Sequence, residues 1–66
     1  MDKEKELLFN VLVHYVKDGH IQSKSYVEVA DDECIAMNKA LLECKKEFNI
    51  AITDARIADI EEVQNE

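Results

Sequence analysis

Leu7, Phe9, Val11, Val13 and Tyr15 alternate strictly with their neighbours, in a stretch rich in β-branched and aromatic side chains. A period of two in such residues predicts a strand with one buried face. A helix over residues 3–16 is the competing reading, because Leu8, Leu12 and Tyr15 also fit a 3.6-residue period. Lys17-Asp18-Gly19 follows at once and favours the strand, since it supplies a turn. Loop length then decides which residues of the next strand face inward. A two-residue Asp-Gly loop pairs Val11 with Tyr26 and Phe9 with Glu28, setting polar positions beneath apolar ones. A three-residue loop, a type I turn with Gly19 in the left-handed bulge position, pairs Tyr15 with Ile21 and Val11 with Ser25. It also pairs Phe9 with Val27 and Leu7 with Val29. Apolar then meets apolar at most positions, so this longer loop is the expectation.

Residues 31–48 carry a helical pattern. Asp31 or Asp32 can cap its start, Lys45 and Lys46 suit its last turns, and Asn49 can end it in the left-handed conformation. Cys34, Met37, Leu41, Cys44 and Phe48 form one stripe for covering a sheet, with Ala40 beside them. Ile35 and Leu42 point away from it, toward a sheet margin or a second subunit. Residues 51–60 predict a third strand. The alternative is a helix capped by Thr53 that presents Ile57, Ile60 and Val63. A right-handed crossover would put the third strand beside the first and parallel to the second. The predicted fold is therefore α+β, a ββαβ chain with a three-stranded sheet of order 2-1-3 and one helix on one face. It is a single domain over 1–66, with 1–5 and 62–66 expected to fray.

With 66 residues the domain buries only roughly 60% of its unfolded surface, so a partner or a second copy is a reasonable source of extra stability. The apolar run at residues 7–16 is too short to span a bilayer, and MDKEKE does not resemble the start of a signal peptide. A cytoplasmic location is expected. Cys34 and Cys44, ten residues apart on one helix, lie about 15 Å apart along its axis. A disulfide needs Cα atoms within about 7 Å, so both are expected reduced and buried.

A single glycine rules out the phosphate-cradling loops, which need two or three. No Cys-x-x-Cys or His-x-x-x-His spacing is present, so neither a metal nor a cofactor is expected. Ser23 and Ser25 would lie under the helix with no histidine on their face, and no catalytic residue is assigned. His14 and His20 would sit on the outer sheet face near Tyr26. That face would also display Leu8, Leu12 and Val16, a patch of the kind that marks an interface, and two strands remain open edges. A homodimer through the outer face or an edge follows as an expectation.

Charge adds the functional direction. Fifteen acidic side chains face eight basic ones, for a net charge of -7. Asp31, Asp32 and Glu33 form one cluster, and Asp54, Asp59, Glu61 and Glu62 another. Such a field repels nucleic acid and anionic membrane and attracts basic proteins. Carboxylates on a rigid body can stand in for phosphates toward Lys and Arg groups built to meet a nucleic-acid backbone. Asp31, Asp32, Glu33, Asp54, Asp59, Glu61 and Glu62 would supply charge, and Leu8, Leu12 and Tyr26 desolvated contact. The alternative is a self-associating accessory module whose charge serves solubility alone.

The run Tyr26-Val27-Glu28-Val29-Ala30-Asp31-Asp32-Glu33, continuing into Ala36 and Ala40-Leu41, joins a strand through an acidic turn to an alanine-spaced helix. In that plan, length and charge the chain resembles small acidic early proteins of bacteriophages, among them inhibitors of host RNA polymerase and of the histone-like nucleoid protein. The resemblance covers about residues 7–60 and carries over no individual residue. It implies a non-enzymatic host-takeover protein that blocks a host nucleic-acid-binding machine: polymerase, nucleoid protein or nuclease.

Overall fold

A computed structural model describes residues 6–63. Strand β1 (Leu7–Lys17) turns into β2 (His20–Ala30), α1 (Glu33–Phe48) crosses over, and a single 3-10 turn (Ile52–Asp54) leads into β3 (Ala55–Val63). The sheet order is β2-β1-β3, antiparallel at both junctions, with the helix on one face. The ββαβ architecture is the one the hydrophobic pattern predicts. Of the ends expected to fray, 1–5 and 62–66, residues 1–5 and 64–66 lie outside the described residues, whereas Glu62 and Val63 are not frayed but pair with Phe9 and Leu8 in β3.

The hairpin takes the shorter loop, which corrects the expected register. Lys17 pairs with His20, and only Asp18 and Gly19 intervene. Both have positive φ, 56° and 79°. This is the mirror-image turn whose twist matches that of the flanking strands, and aspartate followed by glycine tolerates its left-handed backbone. Turn geometry wins over the residue-for-residue apolar match. Val11 therefore faces Tyr26 and Phe9 faces Glu28. Every side chain of β2 points to the opposite side from the one expected, because a one-residue shift exchanges the faces. Tyr26, Glu28 and Ala30 lie beneath the helix, while Ile21, Ser23, Ser25, Val27 and Val29 lie in solvent.

The core joins Phe9, Val11, Val13 and Tyr15 of β1 to Ala36, Ala40 and Cys44 of α1. The buried line of the helix thus runs through its small residues. They permit close approach to the sheet, and the larger Leu41 and Phe48 pack at the flanks. Cys34, expected inside, is exposed, and Cys44 is buried. Ile35 and Leu42 are both exposed. Asp32 caps the helix by accepting from the Ile35 N–H at 3.0 Å. Asn49 ends it at φ 55°, its backbone N–H bonding the Lys45 carbonyl.

Strand β3 starts later than expected, at Ala55, and contains an irregularity. Leu12 pairs with Asp59 but Val13 with Ile57, so Ala58 is an extra residue. Ile57 and Ile60, three apart, can then both face the helix, which strict alternation forbids.

Candidate functional site

Register and topology sort the charged groups by position along the sheet. Leu8 lies between Val29 and Val63 at one end, and Tyr15 between Gln22 and Ala55 toward the other. The Asp31–Glu33 turn and the last residues of β3 therefore share the first end. There Asp31, Asp32, Glu33, Glu61 and Glu62 are all exposed, and Glu6 is adjacent in the chain to β1. Lys39 reaches toward this end, its ammonium donating to the Val29 carbonyl at 2.7 Å. The second end holds the hairpin tip and the C-terminus of α1, with Lys17, His20, Lys45 and Lys46, together with Arg56 at the start of β3. The acids there are Asp18, Glu47 and Asp54.

Of the residues assigned from sequence, Asp31, Asp32, Glu33, Glu61 and Glu62 are thus brought together. Asp59 lies midway along β3, opposite Leu12, and accepts from the Ile60 N–H beside the extra residue. Asp54 sits at the far end and does not join them. Leu8 and Leu12 are half-buried on the face that no other described element covers, as expected. Tyr26 is not on that face. It is buried against α1, where its hydroxyl donates to Glu47 Oε1 at 2.9 Å. Burial first, and then this bond to a carboxylate, hold its proton well above the ordinary tyrosine range. His14 remains on the open face, whereas His20, paired with Lys17, falls on the helix side of the hairpin tip.

Around Tyr26 the chain builds a small polar clasp. Glu47 Oε2 meets Lys24 Nζ at 2.7 Å, and the two partners together hold the Glu47 carboxyl below its usual range. The Lys24 ammonium also lies 5.5 Å and 5.7 Å from the ring centres of Tyr26 and Phe48. Phe48 stacks on Tyr15 with centroids 4.4 Å apart, and its carbonyl accepts from Lys17 Nζ at 3.3 Å. These contacts tie the end of α1 to the hairpin.

Glu28 is the residue that sequence reasoning missed. It is only 5% exposed, opposite Phe9 on the covered face, and its Oε2 has no hydrogen-bond partner among the described residues. Desolvation, followed by the adjacent Glu43 carboxyl, raises its pKa to about 6, while Lys39 pulls the other way. The signal was the Asp18-Gly19 pair, which dictates the register that buries this carboxylate.

A half-open cleft of about 340 Å³ lies where the hairpin tip meets β3, between His14, Val16, Ile21, Thr53 and Arg56. Among the described residues, no three His, Cys, Asp or Glu side chains are grouped so as to hold a metal ion. No described helix is long and apolar enough to cross a membrane. No protein-family model, curated protein or solved structure matches this chain.

Proposed function

We propose that this protein is a non-enzymatic binding protein whose acidic end occludes a basic, nucleic-acid-contacting surface of another protein. The supporting observation is the gathering of Asp31, Asp32, Glu33, Glu61 and Glu62 at one end of a rigid sheet, from two segments far apart in sequence. Carboxylates held on a packed platform need little ordering when they meet a row of Lys and Arg, and the partner already has donors spaced for phosphates. The resemblance to small acidic phage early proteins points the same way, toward a host polymerase, nucleoid protein or nuclease in the cytoplasm.

The test begins with capture from bacterial lysate on the immobilised protein and elution in a salt gradient. A nucleic-acid-binding protein should be retained, release steeply with salt, and lose its grip on DNA or RNA when this protein is added. Asp31→Asn, Glu33→Gln and Glu62→Gln combined should weaken the complex about tenfold or more. Asp32 is left intact because it caps the helix. Retention that ignores both salt and neutralisation, or a captured protein that still binds its nucleic acid, would rule the proposal out.

A further inference from the structure

The open face of the sheet carries a pattern with its own centre. Across β2, β1 and β3 its middle row is Ser25, Leu12 and Asp59. Two residues to one side stand Val27, Asn10 and Glu61; two to the other stand Ser23, His14 and Arg56. Beyond these come apolar rows, Val29, Leu8 and Val63 at the acidic end, Ile21 and Val16 at the hairpin tip. Val16, Ile21, Val27, Val29 and Val63 are all exposed, up to 76% for Ile21.

We propose that this face binds a second copy of the same chain, sheet on sheet with strands antiparallel, about a two-fold axis over Leu12. Rotation about an in-plane axis across the strands lays the Leu8 row of one protomer on the Val16 row of its partner. The same rotation sets Arg56 against Glu61 of the partner subunit, and does so twice. Apolar match and charge match thus share one centre. The other in-plane two-fold, along the strands, lays Val27 on the partner's Glu61 and stacks the two acidic ends together. Unlike charge therefore selects the antiparallel form. Three strands of about ten residues present roughly 500 Å² at ordinary strand spacing, so the pair would bury on the order of 1,000 Å² in total. That is the lower bound for a specific interface. The two Asp59 carboxylates also approach one another at the axis, so the dimer is reversible rather than permanent. Of the five carboxylates at the acidic end, Asp31, Asp32, Glu33 and Glu62 stay outside it and only Glu61 is shared with it, and the assembly does not depend on the binding proposed above.

Sedimentation equilibrium of the full chain, from about 1 μM to about 1 mM, tests the dimer. The parent should dimerise within that range, and Arg56→Glu and Glu61→Arg should each weaken it about tenfold. Both residues are exposed, and circular dichroism checks that the variants stay folded. The double variant should return to within about threefold of the parent. The two charge changes cancel, so it keeps the net charge of -7 and recovery cannot reflect overall repulsion. A chain that stays monomeric throughout, or a dimer that the double variant fails to restore, overturns the proposal.

Discussion

Val11 and Val27 are the same residue on adjacent strands, yet Val11 is fully buried and Val27 is 64% exposed. The two faces of this sheet differ less in their chemistry than in what covers them. Beneath α1 lie not only Phe9, Val11 and Val13 but also Tyr26 and a carboxylate, Glu28. On the open face stand Ile21, Val27 and Val29, which by composition alone would be inside. Strand β1, flanked on both sides, puts its alternation where hydrophobicity demands. Strand β2 lies at the edge, and the two-residue turn decides which way its side chains point.

The largest effect should come from testing whether only the covered face carries stability. Phe9→Ala should cost about 3–5 kcal/mol, enough to unfold much of so small a domain, whereas Ile21→Ala should change stability by no more than about 0.5 kcal/mol. Urea unfolding of the two variants measures both. Similar losses would mean that the open face is covered in solution, as the dimer requires at high concentration, so the measurement belongs at low concentration.

A smaller effect, of opposite sign, should follow from Glu28. Its pKa is raised from 4.5 to about 6 in the fold, so the folded chain holds more proton than the unfolded chain between those values. The stabilising share of the proton is complete below about pH 4.5 and is lost as pH rises through about 6. Above that, the buried anion costs about 2 kcal/mol. Glu28→Gln should therefore stabilise the domain by about 1–2 kcal/mol at pH 8 and by little at pH 4. Glu47 moves in the other direction, its contribution fading as acid removes its charge, but it is common to both chains and cancels in the difference. A gain that is independent of pH would show that shape, not charge, is the burden at position 28.

An effect of similar size, but destabilising and independent of pH, concerns the turn itself. Gly19 has φ 79° and open space where a Cβ would sit. Gly19→Ala should therefore cost only about 1–2 kcal/mol, through backbone strain alone. Hydrogen exchange should then speed up in β2 before β1, since the edge strand relies on the turn for its register.

Much of the fold was legible because several signals agreed. Alternation in residues 7–16, the Asp32 cap, the Asn49 terminator and the chain order each have a local cause. The register of β2 was not legible from hydrophobic matching, because the turn preference of Asp18-Gly19 acts against it. Ile57 and Ile60 read as helical spacing for a related reason: the extra residue at Ala58 lets a strand put positions three apart on one face. The acidic residues were visible as composition. Their gathering at one end depends on the pairing of Leu8 with both Val29 and Val63, which no local pattern reveals. Tyr26 was misplaced together with the strand that carries it.

The sorting of charge along the sheet has a kinetic consequence. With carboxylates crowded at one pole, and Lys17, Lys45, Lys46 and Arg56 outnumbering Asp18, Glu47 and Asp54 toward the other, the described residues carry a lengthwise electric dipole. Near a cationic surface it would swing, like a compass needle, to present its anionic pole before any side chain touches. Productive encounters would then form a larger share of collisions than contact area alone suggests, and salt would slow arrival more than it hastens departure.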